Sequence, residues 1–433
     1  MDNQGIAKTY QLECLLQKAR NESFACLFIS SGRPDARGEI SIMAGFGISQ
    51  QFPDLISVPK SPTTPIMGYV GYDFKNQIES SLNTSHSQLV EFDALKFVSP
   101  MEWVAVDKEG VISGDGNLLD VNVSQRDNPE VRDIINIQDE NQGSVGLANR
   151  CTPRWEAQTS KESYIDNVER IKRHIVDGDF YEMNYCIAFT AEQEMDPYDS
   201  FLLLHRKAPA PFSVFLKDGD RYLLCASPER FFGKRGDLVF SQPIKGTRPR
   251  VFRSGTSVLD SIRDSEVAQE LESSEKDRAE NIMIVDLVRN DLSKVCEIGS
   301  VVVPECCAVY SFSHVHQLIS TVEGRLNSAV NLDDLIRATF PMGSMTGAPK
   351  ISVMQHTDQL ESFARGIYSG TIGYIWKDEM DFNVVIRALQ YDAQTKVLAY
   401  AVGGAITYDS VAEDEYQECL DKASAVLSIF ESD

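Results

Sequence analysis

Residues 370–402 read GTIGYIWKDEMDFNVVIRALQYDAQTKVLAYAV. Two apolar, strand-like runs, 370–376 and 383–390, flank Lys377-Asp378-Glu379, a polar tip of the kind that closes a β-hairpin. A third run, 397–402, leads into Gly403-Gly404, and a helical pattern follows from about residue 413 to 429. Antiparallel strands and helices therefore come in mixed order, without the regular alternation of a parallel sheet. The fold class this predicts is α+β.

Working outward, the same mixture continues toward the N-terminus. Thr159 and Glu162 form a capping-box pattern, and Tyr164, Val168, Ile171 and Ile175 recur at helical spacing until Gly178. Strands are expected at about 185–190, 213–216 and 221–226. A second long helix is expected over 275–292, with Ile282, Val285 and Val288 on or near one face. A third begins near Pro349, a residue suited to a first turn. Residues from about 10 to 119 read as strand-like and turn-rich, for example at 24–29, 68–72 and 101–107, and carry no catalytic pattern. Residues 124–150 are polar and acidic. The chain accordingly divides into an N-terminal region, 1–123, a polar linker, 124–150, and a catalytic part, 151–433.

Composition narrows the function. The chain has 433 residues, 42% of them hydrophobic and 24% charged, enough for a large globular core. Its net charge of −23 argues against a nucleic-acid partner. An anionic metabolite must then meet a local positive site, either a few Lys and Arg or a divalent cation. The first residues, Met1-Asp2-Asn3-Gln4-Gly5, form no basic leader, and no apolar run approaches the roughly 20 residues of a membrane span. The nine cysteines include no CxxC pair, which fits reduced thiols and a cytoplasmic location.

The residues with chemical promise lie in separate segments. Lys245 sits in Pro243-Ile244-Lys245-Gly246-Thr247, sixteen positions after Glu229 of Ser227-Pro228-Glu229-Arg230. Together they offer an amine nucleophile and a general acid; singly, each is an ordinary turn or strand-end residue. Asp277 and Glu280 are three apart on the second long helix, as are Glu415 and Glu418 on the last, with Lys422 four beyond Glu418. Two such pairs can converge on a hard cation such as Mg²⁺, or remain two solvated helix faces with ordinary ion pairs.

Taken in order, these segments resemble the chorismate-utilising enzyme family. Further runs join them: Glu275-Lys276-Asp277-Arg278-Ala279-Glu280-Asn281, Asp286-Leu287-Val288-Arg289-Asn290-Asp291, Gly343-Ser344-Met345-Thr346-Gly347-Ala348-Pro349-Lys350, Tyr368-Ser369-Gly370-Thr371, Ile386-Arg387 and Glu415-Tyr416-Gln417-Glu418. The resemblance covers about residues 160–430 and is closest to the aminodeoxychorismate synthase component I branch. It implies two large, mostly antiparallel β-sheets packed as a sandwich with flanking helices.

It also implies a chemistry. Chorismate would lose its carbon-4 hydroxyl to an amine, with Glu229 as general acid and Lys245 as nucleophile at carbon 2. Ammonia would then attack carbon 4 and release the lysine as 4-amino-4-deoxychorismate forms. Desolvation near a divalent cation is expected to make the neutral lysine accessible. Mg²⁺ would be held by Glu280 and Glu418, with Asp277 and Glu415 in support. Substrate contacts carry over to Gly246, Thr247, Thr346, Tyr368, Arg387, Gly404, Ala405 and Lys422. Ala405 replaces a family glycine and Gln317 a common histidine, so a backbone contact at Ala405 requires an ordinary φ. Anthranilate synthase component I typically has Ala at the Lys245 position, and isochorismate or salicylate synthases typically place a lysine base where Glu182 stands. Both are alternatives acting on the same substrate. No cysteine sits in a nucleophile turn, so a separate glutamine amidotransferase subunit, component II, is the implied ammonia source.

Overall fold

The computed structural model describes residues 3–31, 40–115, 118, 152–253, 258–312 and 314–430. The 124–150 linker lies outside the described residues. Two antiparallel sheets dominate. One has eleven strands, the other ten, and strands that are neighbours in space, often distant in the chain, are hydrogen-bonded to each other.

The N-terminal region enters both sheets. Strand Phe24–Ile29 pairs with Phe212–Asp218, and Ile66–Val70 pairs with Thr371–Trp376. Alternation along Phe24–Ile29 shows why both sheets are needed. Phe24, Cys26 and Phe28 face the second sheet, where the Phe28 and Tyr374 rings lie 5.4 Å apart. Ala25, Leu27 and Ile29 face the helices outside. The sheets therefore pack as a sandwich, as the resemblance implied.

Helices cover the first sheet's outer face. Lys161–Asp177 buries Tyr164, Val168 and Ile171 there, and Ala412–Leu427 buries Cys419, Ala423 and Val426. Burying one such large apolar side chain contributes about 1.5–3 kcal/mol. Gly178, with φ of 86°, closes the first of these helices as expected. Its N-cap is Ser160 rather than Thr159: the Ser160 hydroxyl accepts from the Ser163 amide, and Thr159 is buried against Ser362.

Several sequence expectations are corrected. Residues 10–20 are helical, within Asn3–Arg20. Leu12, Leu15, Leu16 and Ala19 are buried at helical spacing and dock on the first sheet. On the long helix Glu275–Ser293 the buried side chains are Asn281, Ile284, Val285, Asp291 and Leu292, while Ile282 points outward at 48% exposure. Pro349 is the N-cap of Lys350–Leu360 and not its first helical residue. The expected strand 383–390 is two strands. Glu379–Asn383 belongs to the second sheet and Ala388–Asp392 to the first, so the chain changes sheets over residues 384–387.

Candidate active site

The sheet change at 384–387 builds one wall of the site. Arg387 has φ of 51°, a left-handed conformation that is uncommon outside glycine and is held here by the strands on either side. Its carbonyl accepts from the Ala226 amide at 3.0 Å, beside the turn that carries Glu229. Glu229 is 7% exposed. Burial pushes its carboxyl up to about 7, against the opposing pull of Ser344, Lys245 and Arg387. Ser344 Oγ stands by that carboxyl without a hydrogen bond of ordinary geometry. A partly open, mostly apolar pocket of about 400 Å³ opens behind Glu229, lined in part by Phe231, Ile284, Val288 and Met342.

Lys245 lies on Ile244–Pro249, which pairs with strand Val315–Arg325 at the end of the second sheet. The register slips between Ile244 and Thr247, so Lys245 and Gly246 form an irregularity of the kind that re-aims a side chain. Gly246 is required there. Its φ is 78°, and a Cβ would lie 2.9 Å from the Asp277 side chain. Lys245 Nζ donates to Glu182 Oε1 at 2.9 Å, with the two side chains 11% and 1% exposed. Glu182 begins strand Glu182–Glu192, next to the edge strand Gly347–Ala348 of the first sheet, so this ion pair joins the edge strand of the second sheet to the margin of the first. Burial disfavours the Lys245 ammonium, but Glu182, Glu280 and Glu229 outweigh it and hold the group above the ordinary lysine value. Desolvation acts toward the neutral lysine, as expected, and the anionic neighbours act against it.

The carboxylates on the two helices divide. Glu280 and Glu418 both face Lys245 and Lys276. Burial raises Glu280 above the usual carboxylate range. Glu418 is half exposed; its partial burial raises it likewise, but Lys422, Lys276 and Lys245 together bring it below that range. Lys422 Nζ is 2.7 Å from Glu418 and donates to the Gly403 carbonyl at 3.0 Å. Glu415 is 6% exposed and accepts from Ser410 Oγ at 2.7 Å; a Cβ on Gly404 would lie 3.2 Å from its other oxygen. Asp277 lies against Gly246 and is ion-paired with Arg248 at 2.9 Å. Among the described residues, the one group of three potential metal ligands within 4.8 Å of one another is His174, Asp179 and His356, away from these carboxylates. Glu280 and Glu418 each lie within electrostatic reach of Lys245 and Lys276, and carboxylate oxygens of this kind are the donors a hard cation takes.

The remaining predicted residues are also located. Tyr368 is 3% exposed, its hydroxyl 3.9 Å from Cys186 Sγ. Thr346 is fully buried, and its hydroxyl donates to carbonyls of its own turn, at Met342 and Gly343. Thr247 is exposed and accepts from Gln317 Nε2 at 3.5 Å. His316, beside Gln317, turns instead to Asp264 at 3.0 Å. Ala405 is not among the residues with positive φ, so its backbone has the ordinary φ that a contact there requires.

Sequence reasoning missed the supports. Arg365 and Glu361 are buried side by side, and Arg365 also donates to the carbonyls of Met345 and Asn184 at 2.7 and 2.9 Å. Lys350 pins Asp291 at 2.6 Å, tying the turn at Thr346 to helix Glu275–Ser293. The only sequence signal for these was their place inside the quoted motifs or beside them.

The model of the chorismate binding enzyme family matches residues 36–428. Aminodeoxychorismate synthase component 1 of Klebsiella aerogenes is 41% identical over 289 residues, covering 66% of this chain and 62% of that protein. The Bacillus subtilis protein of the same name is 31% identical over 376 residues, covering 84% and 76%. The chain thus aligns with less than two thirds of the Klebsiella protein. The crystal structure of anthranilate synthase component I from Streptococcus pneumoniae TIGR4 superposes with a TM-score of 0.72 over 92% of this chain and 94% of that one, at 23% identity, and so shares the fold. With a family match that spans both sheets and every segment of the site, the chain belongs to the chorismate binding enzymes.

Proposed function

We propose that the chain is component I of an aminodeoxychorismate synthase, converting chorismate and ammonia to 4-amino-4-deoxychorismate on the way to p-aminobenzoate and folate. The observation that carries this reading is the buried Lys245 within electrostatic reach of Glu229, an acid held at about 7. A lysine there separates this branch from relatives in which ammonia or water attacks the ring directly.

Glu229, protonated up to about pH 7, gives its proton to the carbon-4 hydroxyl, which leaves as water as Lys245 bonds to carbon 2. Ammonia then bonds to carbon 4, the lysine–carbon bond breaks, and Glu229 recovers a proton from the new ammonium. Arg387 offers a planar two-donor edge to a substrate carboxylate. Tyr368, Thr346, Gly246, Thr247, Gly404 and Ala405 shape the walls, Thr346 through its backbone because its hydroxyl is engaged. Lys422 serves a substrate carboxylate only by sharing its contact with Glu418. Glu280 and Glu418 are the residues that would hold Mg²⁺, with Glu415 behind them; when bound, the ion supplies charge neutralisation at the ring carboxylate. Asp277, committed to Arg248, is left out of that set.

The ammonia is supplied by a separate glutamine amidotransferase subunit, component II. Among the described residues no helix is long and apolar enough to cross a membrane, and none of the eight described cysteines forms a disulfide. Unbridged thiols support a cytoplasmic location. The test is product analysis with purified chain, chorismate, Mg²⁺ and ammonium. Aminodeoxychorismate is expected. Anthranilate or isochorismate would transfer the chain to another branch, and turnover with glutamine in the absence of ammonium would remove the need for the partner.

A further inference from the structure

A lysine that donates to a buried carboxylate at 2.9 Å is held there as an ammonium, yet the proposed chemistry needs a neutral lysine. Some group within hydrogen-bond reach has to take that proton. The charged groups facing Lys245 are Glu182, Glu280, Glu229 and Glu418. Glu229 is assigned the opposite duty, donating a proton to the leaving hydroxyl. Glu280 and Glu418 make no ion pair with Lys245 within 4.0 Å among the described residues, whereas Glu182 lies at 2.9 Å.

Glu182 is also built for the task. Its backbone is locked: Glu182 pairs with Ala348, the Tyr181 amide donates to the Ala348 carbonyl at 2.8 Å, and Gly347 packs so closely on the Glu182 carbonyl that a Cβ there would collide with it. Its side chain is 1% exposed, and its second oxygen, Oε2, has no hydrogen-bond partner among the described residues. A carboxylate kept for structure would be expected to have both oxygens satisfied. Here one oxygen holds the lysine and the other keeps a free lone pair. Moving one proton along the 2.9 Å contact neutralises two buried charges together, a change that becomes easier as substrate excludes water.

We propose that Glu182 is the base that frees Lys245. It takes one proton from the ammonium, the neutral amine forms the bond to carbon 2, and when that bond breaks the lysine recovers the proton from Glu182. Over a full cycle Glu182 is unchanged. This inference rests on the proposed lysine chemistry.

The test uses the full chain with chorismate, Mg²⁺ and ammonium, comparing wild type with Glu182→Gln and Glu182→Asp from pH 6 to 10. Loss of the Glu182 charge by itself makes the lysine easier to deprotonate, which raises the rate at pH 7. A lost proton acceptor lowers it. Glu182→Gln should turn over on the order of 100-fold more slowly at pH 7, with the ratio to wild type closing as hydroxide takes over at higher pH. Glu182→Asp, still a carboxylate, should recover part of the rate. A Gln variant within threefold of wild type at every pH overturns the assignment, as does an Asp variant no faster than Gln. Should the Gln variant melt well below wild type, the Asp variant decides by its rate per folded molecule: a rate within about tenfold of wild type that keeps the wild-type pH profile supports the base, and a rate about 100-fold or more below wild type at every pH overturns it. If wild type itself makes no aminodeoxychorismate from ammonia, it is the reaction assignment that fails.

Discussion

Two buried ion pairs stand close together along strand Glu182–Glu192 and are finished to different degrees. Arg365 and Glu361 are 1% and 2% exposed, and both carboxylate oxygens of Glu361 are used: one accepts from Arg365 Nη2 and the Cys186 amide, the other from Arg365 Nε. The spare Arg365 donors hold the carbonyls of Met345 and Asn184, and its guanidinium lies 4.4 Å from the Tyr72 ring centre. Lys245 and Glu182 share one contact, keep an unpartnered oxygen, and sit among further carboxylates. The saturated pair fixes the turn that carries Ser344 and Thr346. The unsaturated pair keeps a proton within reach of the chemistry. Burial by itself does not distinguish a support from a reacting group; the completeness of hydrogen bonding does.

The largest expected effect breaks the unsaturated pair. Lys245→Ala should lose about 1000-fold or more in ammonia-dependent turnover, about 4 kcal/mol of transition-state stabilisation. Its stability should fall as well. Lys245 is 11% exposed, and its removal strands the buried Glu182. Combining Lys245→Ala with Glu182→Gln removes both charges. The double variant should regain thermal stability and stay inactive. Recovery of activity in the double variant would show that neither residue reacts.

Breaking the saturated pair should act in the other currency. Arg365→Met leaves Glu361 charged and buried and two carbonyls without donors. A loss of about 3–5 kcal/mol is expected in denaturant unfolding. Whatever folded enzyme remains should have an unchanged pH profile, because Arg365 meets no group assigned to proton transfer. A shifted profile would place Arg365 in the chemistry.

These roles were unevenly legible in the sequence. Gly178 as a helix stop and the Gly246 turn could be read locally, since φ above zero is a property of single residues. The helix at the N-terminus was legible but unread: Leu12, Leu15, Leu16 and Ala19 carry its period. The sheet change at 384–387 was not legible, because an apolar run through Val384, Val385 and Ile386 is the same text whether the strand continues or crosses. Glu182 as the partner of Lys245 was beyond local reading altogether. The two are 63 positions apart and meet only because the fold brings one strand of each sheet together. Glu229, Lys245, Glu280 and Glu418 could be selected by motif, but motifs do not tell that Asp277 is ion-paired with Arg248.

Glu229 supplies a third, intermediate contrast, a buried acid whose neighbours fail to hold its charge. Its folded value, about 7, lies above the 4.5 of an ordinary glutamate. The native state therefore binds more protons than the unfolded chain between those values. Stability from this group is present below about pH 4.5 and is lost as pH rises toward 7. Glu229→Gln should consequently be more stable than wild type at pH 8, by up to about 3 kcal/mol, and match it near pH 4. The variant should also lack the wild-type fall in activity above about pH 7, at a much lower overall rate. Equal stability differences at both pH values would mean that Glu229 is ionised in the folded chain.

The smallest expected change in stability comes at Glu418, where the contrast with the buried pairs is greatest. Its side chain is 53% exposed and its partner Lys422 is 40% exposed, one helical turn away. Such pairs contribute about 0.5 kcal/mol or less because solvent screens them and two long side chains must be ordered. Glu418→Gln should therefore melt close to wild type. Its signature should be in the cation titration instead. An amide keeps the volume and one oxygen donor but loses the charge that a hard cation needs, so more Mg²⁺ should be required for half-maximal activity. Glu280→Gln should shift the titration in the same direction, and Asp277→Asn should shift it less, since Arg248 already occupies that carboxylate. An unchanged Mg²⁺ titration in both glutamine variants would mean that these two helix faces carry only ordinary ion pairs. A shift for Asp277→Asn as large as theirs would mean that Arg248 releases Asp277 when the cation binds.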